Sequence, residues 1–401
     1  MTDTSVQTLK DRARTRIEAD SKSLLAVSHQ IFEEPELAFE EVKSAALLAD
    51  LLEDGGMKVE RAIHGLQTAF RGTSGNSGPH VVICAEYDAL PEIGHACGHN
   101  IIGTSSVGAG LALAELADDL GIRVTVLGTP AEEGGGGKVE LMNAGAFDDA
   151  TVSIMVHPAP LDVVDMPCLA IARAEVTYHG MEAHASAFPE RGLNALDAVN
   201  LSYSAIAALR QHISRSERIH GIITHGGDAP NVVPKLASAT YYVRARNLED
   251  LKALKARVIR CFEAGALATG CELELVWAGH DYSDLFTNPT IAEFYDSNLQ
   301  HLGRSALPRQ VMEAYAGSTD MGNVSFAVPS IHPMMGINSL PAVNHQADFA
   351  RHTISSDGDK AVVDAALAMA WTTIDLATTP GAFDKVRAEF EAGPPTETRF
   401  S

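Results

Sequence analysis

Apolar residues recur along this chain with two different periods, and the places where the period changes divide it into parts. Between residues 7 and 53 the spacing is helical, with Leu47, Leu48, Leu51 and Leu52 among the repeating positions, and the turn Glu33-Glu34-Pro35-Glu36 separates two helices. Short continuous apolar runs follow at 81–85, 124–127 and 152–156, as expected for strands buried on both faces. Helical segments lie between them, and the one at 103–117 is rich in small residues, which predicts a helix lying close on a sheet. Strand and helix alternating in this way predict an α/β fold on a mixed, mostly parallel sheet.

Near Cys168 the pattern changes. Residues 169–178 alternate as a strand, 193–213 are helical, 221–224 and 238–243 read as strands, 248–266 as a helix and 272–276 as a strand. This β-α-β-β-α-β order is the ferredoxin-like arrangement, small enough to be an inserted domain with its own core. Strands and helices that complete the first sheet, including 330–337, resume after residue 282. The expected division is a discontinuous first domain at 1–167 and 284–395 and an insert at 168–283. A loose tail is expected at 396–401, in a stretch with two prolines and little apolar content. The insert's Leu193, Leu196, Val199, Leu201, Ile206 and Leu209 exceed what one face of a small domain needs, which predicts a homodimer formed through it.

Charge and cysteine usage narrow the partners. Thirty Lys and Arg against fifty-two Asp and Glu leave a formal charge of -22, a field that repels nucleic acid and anionic lipid, so neither is an expected partner. Five scattered cysteines without a Cys-x-x-Cys pair argue against a disulfide framework and for a reducing cytoplasm. The first twenty residues are polar, and the longest apolar stretch, 107–113, is too short for a bilayer, so a soluble, unprocessed chain is expected.

The three apolar runs of the first part each end in residues that bind metals or move protons. The first leads into Glu86-Tyr87-Asp88 and then His95-Ala96-Cys97-Gly98-His99, the second into Glu132-Glu133, the third into His157-Pro158. Open α/β sheets gather ligands at the carboxyl ends of their strands, so these residues are expected to converge. A thiol with several imidazoles and carboxylates fits a divalent transition metal, zinc most naturally. Gly98 permits the sharp path that lets Cys97 and His99 reach one ion. Adjacent carboxylates point apart, so one of Glu132 and Glu133 can ligate while the other takes a proton from water. The run Gly134 to Gly137 followed by Lys138 fails the phosphate-loop pattern, because Val139 stands where Ser or Thr is required.

The ordered segments HQIFEEPELAFEE, EYDALP, HACGHN, TPAEEGGGG, VHP, HGMEAHAS, NVVP and VNHQADF resemble the M-20 family of metallopeptidases over nearly the whole chain. HACGHN points to its amidohydrolase branch, with indole-acetyl-amino-acid hydrolases, aminobenzoyl-glutamate hydrolases and aminoacylase-like dipeptidases. The resemblance implies a zinc-exopeptidase-like catalytic domain in which Cys97, His99, Glu133, His157 and His345 hold two divalent ions. Zinc is expected, with manganese, cobalt or nickel as alternatives. It makes Glu132 the general base and gives His184, on the inserted lid, the task of polarising the scissile carbonyl, in its own or a partner subunit. It assigns Asn231 and Arg244 to the substrate or its carboxylate. Where much of the family has a metal-binding histidine two residues before the first-strand aspartate, this chain has Glu86. Asp88 is therefore read as orienting a ligand, with Cys97 and His99 taking over from the missing histidine. His95 and Asp320 are left without a fixed role, and His332 is among the histidines read as structural.

The activity so implied is hydrolysis of the amide bond of an N-acyl amino acid or a dipeptide by metal-activated water. Three other readings stand beside it: hydrolysis of another C–N bond by a deaminase or general amidase, a cysteine hydrolase using Cys97 and His99, and a catalytically silent binding homologue. The Cys97–His99 spacing is poor for a nucleophile and its base, and the chain lacks the Pro-Cys-x-x-Cys half of the base-deaminase signature.

Overall fold

The computed structural model describes residues 3–312 and 316–394. Two compact units emerge, one from the residues up to Pro167 together with those from Leu285 onward, the other Cys168–Asp284. The expected loose tail at 396–401 lies outside the described residues.

The strands of the first unit are β1 (Lys58–Arg61), β2 (Phe70–Ser74), β3 (His80–Ala85), β4 (Arg123–Gly128), β5 (Val152–Ile154) and β6 (His157–Ala159). Strands β7 (Ala170–His179), β8 (Arg218–His225), β9 (Leu236–Ala245) and β10 (Glu272–Tyr282) form the second unit, and β11 (Ser330–Ile331) and β12 (Met334–Gly336) return to the first. A six-stranded sheet runs β1-β2-β4-β3-β5-β11, antiparallel at the β1 and β2 edge and parallel from β4 onward. The sheet is mixed and mostly parallel, as the alternation predicts. One expectation changes in detail: the run 152–156 is not one strand, because β5 ends at Ile154 and His157 opens β6, which pairs with β12 as a separate parallel ribbon.

Strand β3 shows why the apolar runs are continuous. Val81, Ile83 and Ala85 enter one core with the helices Asp3–Glu33, His99–Ala114 and Ser356–Thr378, while Val82 and Cys84 enter a second core on the other face with Met155, Met321 and Val324. A strand covered on both sides has no polar face to alternate. The small-residue helix begins at His99, four residues earlier than its composition suggests. It lies so close on the sheet that a Cβ at Gly110 would stand 2.0 Å from a Val126 methyl. Adding one there forces a backbone or side-chain shift of the kind that costs roughly 1–3 kcal/mol. The helix Ser356–Thr378 is long and apolar enough to cross a membrane, but 83% of its apolar window is buried against the first unit's own core.

The second unit pairs its strands in the order β10-β7-β9-β8, antiparallel throughout, which is the ferredoxin-like order. One face carries the helices Ala195–Arg210 and Leu248–Thr269, capped by Asn194 and Asn247, whose side chains accept from the first free backbone N–H groups. Of the six apolar residues noted on the first of these helical stretches, Val199 and Ile206 are buried and Leu193, Leu196 and Leu209 pack against the same core. Leu201 alone is exposed, at 45%. The unit therefore uses most of that apolar surface itself.

Candidate metal centre

Three backbone connections bring the strand ends of the first unit together. Thr129, just past β4, donates its N–H to the carbonyl of Ala85 at 2.7 Å, so the Glu86 and Glu132 segments leave the sheet side by side. The N–H of His157 donates to Pro333 O at 2.9 Å, and that of His345 donates to Ala96 O at 2.8 Å. The last contact draws in a loop about 250 residues from Cys97. His345 has φ +67° and Asn344 donates to Pro158 O at 3.1 Å, which fixes the loop's path over the site. Gly98 has φ +85°, and a Cβ there would meet Pro158 Cγ at 2.4 Å, so both backbone angle and packing require glycine.

Cys97 Sγ lies 3.4 Å from His157 Nε2, and the donor atoms of Cys97, His99 and His157 all fall within 4.8 Å of one another. Cys97, Glu133 and His345 form a second such group, with Glu133 Oε1 3.3 Å from His345 Nε2, and Glu86, His99 and Glu132 form a third. Cys97 belongs to two of them, which suits a thiolate shared by two ions. Asp88 binds no member of these groups through a metal-facing atom. Its Oδ1 accepts from His99 Nδ1 at 2.9 Å and its Oδ2 from the Glu133 backbone N–H at 2.9 Å. His157 Nδ1 donates to Pro158 O at 2.8 Å. Each imidazole therefore keeps Nε2 for the cluster, the usual preparation of a metal ligand by its neighbours.

The residues fit a cation. His99 Nε2 and Glu133 Oε1 are buried without a hydrogen-bond partner, and so is Glu86 Oε2, an arrangement that a positive ion would satisfy. Left to face one another, the groups disturb each other strongly. Burial and the Glu133 charge push the Cys97 thiol well above its usual range, whereas burial and the charge of His99 pull His157 down to about 4. Burial alone would lower His99, but Asp88, Cys97 and Glu86 outweigh it and hold the ring well above an ordinary histidine. Burial, followed by the charges of Glu86 and Glu133, raises Glu132 well above the carboxylate range. A divalent ion relieves each of these conflicts by drawing the thiol and carboxylates into their charged forms.

Two buried features of this site were not read from the sequence. Lys138 has no exposed surface, and its ammonium donates to Glu86 Oε1 and, at 2.7 Å, to Asp320 Oδ1. The lysine of the rejected phosphate loop is thus an internal counter-ion, and Asp320 is its partner. His332 is also buried, its ring centroid 5.5 Å from that of His157. Sequence did offer a sign here: a second His-Pro pair, His332-Pro333, follows β11 as His157-Pro158 follows its parallel neighbour β5. His95 is buried too, and burial lowers it to about 4.

The remaining candidates belong to the second unit. His184 is exposed and bridges to Val232, while the N–H of Ala185 donates to Asn231 O at 3.0 Å, so the GMEAHAS and NVVP segments meet. The backbone N–H groups of Ser186 and Ala187 point at His184 Nδ1, at 3.4 and 3.3 Å, which leaves the proton on Nε2 as an outward donor. Arg244 lies on β9, registered between Ile171 and Arg218, and is partly buried.

Residues 170–269 match a family model described as the peptidase dimerisation domain. The chain is 38% identical to the Xaa-Arg dipeptidase of Mus musculus, over 96% of this chain and 93% of that protein. It is 34% identical to a p-aminobenzoyl-glutamate hydrolase chain of Escherichia coli strain K12, over 72% of this chain and 64% of that one. A Bacillus subtilis structure described as a dinuclear metal-binding peptidase from the M-20 family superposes with a TM-score of 0.69 at 21% identity, covering 90% of this chain and 99% of that one.

Proposed function

From the premise that this chain belongs to the M-20 family of metallopeptidases and hydrolyses amide bonds in dipeptides or N-acyl amino acids, we propose a particular substrate class and division of labour. The substrate is a dipeptide whose released residue is basic, and two divalent ions, zinc first among the candidates, are held by Cys97, His99, Glu133, His157 and His345. The observation that carries the reading is the grouping of these donor atoms around Cys97, with the buried Glu132 in the adjoining group.

When bound, such ions polarise a carbonyl and make water a nucleophile at neutral pH. Glu132 takes the proton from the attacking water and passes it to the leaving amine, a task for which a carboxylate raised above its ordinary range is suited. His184 offers an Nε2–H to a developing oxyanion, and Arg244 and Asn231 hold the substrate carboxylate. The preference for a basic residue draws on the dipeptidase relatives and on the formal charge of -22, which attracts cations. A panel of dipeptides ending in Arg, Lys or Glu, with N-acyl amino acids and aminobenzoyl-glutamate, tests it on metal-reconstituted enzyme. Higher kcat/KM for Xaa-Arg or Xaa-Lys is expected, and a preference for aminobenzoyl-glutamate would reject it.

The reading includes a homodimer through the inserted unit. Its support is the matched dimerisation domain and the edge strand β8, where Ile222 and Ile223 are 67% and 42% exposed. A monomer by light scattering at micromolar concentration would reject it. A cytoplasmic location is supported by the scatter of the five cysteines along the sequence, with no Cys-x-x-Cys pair among them. Recovery from an oxidising compartment on cell fractionation would overturn that part.

A further inference from the structure

We propose that Glu86 is an additional ligand of the metal centre and that Lys138 is the positioning residue that holds it there. The inference rests on the metal-binding reading above and extends it to a residue of the first strand's end.

The argument begins with lone pairs. Asp88 Oδ1 can only accept, so His99 Nδ1 carries the proton at their 2.9 Å contact, and a neutral His99 turns the lone pair of Nε2 inward. That lone pair faces Glu86 Oε2 at 3.3 Å. Neither atom has a hydrogen-bond partner, and neither side chain has any exposed surface. Two acceptors do not stay buried face to face unless a proton or a metal ion lies between them, and the further ligand atoms gathered around His99 suit the ion. Glu132 completes the group, since one ligand atom of each of Glu86, His99 and Glu132 lies within 4.8 Å of the other two.

Charge counting leads to the same place. Lys138 brings one positive charge against the two negative charges of Glu86 and Asp320, all fully buried, so the three side chains sum to minus one. The lysine does not satisfy its two partners equally. Asp320 is bound through both oxygens, one by the ammonium and one by the Lys138 backbone N–H at 3.0 Å, whereas Glu86 is bound through Oε1 alone. The unspent oxygen and the unspent charge are therefore both on Glu86, turned toward His99. A carboxylate locked by a lysine on one oxygen has its other oxygen fixed in direction, as an ordered ligand requires. The first strand thus regains a metal contact at the position where the resemblance finds a histidine missing.

The test uses the full-length protein, stripped of metal and titrated with zinc against a competing chelator, then with cobalt for its absorption spectrum. The wild type should take up two ions per chain. Glu86→Gln should bind one of them at least tenfold more weakly and shift the cobalt band. Gln can still accept from Lys138, and the cluster becomes neutral, so the metal-free variant should be no less heat-stable than the wild type. The paired variant Lys138→Met with Asp320→Asn, which removes one charge of each sign, should weaken the same ion because it frees Glu86. Equal affinities and an unchanged spectrum in Glu86→Gln would overturn the proposal and leave Glu86 as an internal partner of Lys138. A wild type that takes up no metal would instead overturn the reading of the whole site.

Discussion

Asp88 joins two parts of the centre through one carboxylate: one oxygen receives the Nδ1 proton of His99 and the other receives the backbone N–H of Glu133, each at 2.9 Å. Asn in its place has one acceptor where two are needed, and its amide would meet an N–H head-on. Asp88→Asn is therefore expected to weaken metal binding by roughly ten- to a hundredfold, read by chelator competition, while the fold survives. Unchanged affinity would show that His99 is oriented by other means.

Glu132 and Cys97 should separate chemistry from binding. Glu132→Gln is expected to keep the metals and lose turnover by several orders of magnitude, because only the proton carrier is gone. Cys97→Ala should lose metal itself, since it removes a thiolate donor that belongs to two of the three groups. Elemental analysis beside kcat tells the two apart, and full metal occupancy in Cys97→Ala would make that thiol structural.

Glu41 should give the protein a measurable pH dependence. It is fully buried, its Oε1 accepts from the backbone of Phe39 and Ala131, and burial followed by the charge of Asp88 raises it from 4.5 to about 7. The folded state therefore holds this proton more tightly than the unfolded state. Stability from this group is lost as pH rises from 4.5 to about 7 and is level outside that window, at most about 3 kcal/mol. Glu41→Gln keeps the acceptor and removes the charge, so it should raise the melting temperature at pH 8 and leave it unchanged at pH 4. An equal shift at both pH values would rule out titration as the cause.

Substrates should need a free carboxylate beside the scissile amide if Arg244 pairs with it. Converting that carboxylate to a primary amide is expected to cost about a hundredfold in kcat/KM, roughly 2.7 kcal/mol. The penalty should vanish in Arg244→Met. Equal rates for acid and amide in the wild type would favour a general amidase.

Much of this architecture is legible from residue order because its signals are local. The continuous runs at β3 and β4 and the alternation of β7 follow directly from whether one or both faces of a strand are covered. The ligands before residue 160 are legible because strand ends converge. His345 is not, since it is brought in by bonds of its loop to Ala96 and Pro158, and a loop histidine carries no such mark. Lys138 goes without a role for a related reason. The glycine run before it fails the phosphate-loop pattern, and its buried carboxylate partners lie 52 and 182 residues away. The apolar residues of the insert's first helical stretch show the opposite error, because counting them could not reveal that the unit's own strands and second helix would absorb five of the six.

The order in which strands pair has a consequence for how the protein is made. Strand β11 closes the main sheet on β5 and β12 pairs with β6, so the first unit stays unfinished until about residue 336 has been synthesised, and its centre until His345. The insert needs nothing beyond Asp284, since its four strands and its core are its own. On the ribosome the guest should therefore fold before its host. A nascent chain stalled once residue 284 has cleared the exit tunnel should carry a protease-resistant insert beside an N-terminal part that is still cut, and uniform sensitivity along that chain would contradict this sequence of events.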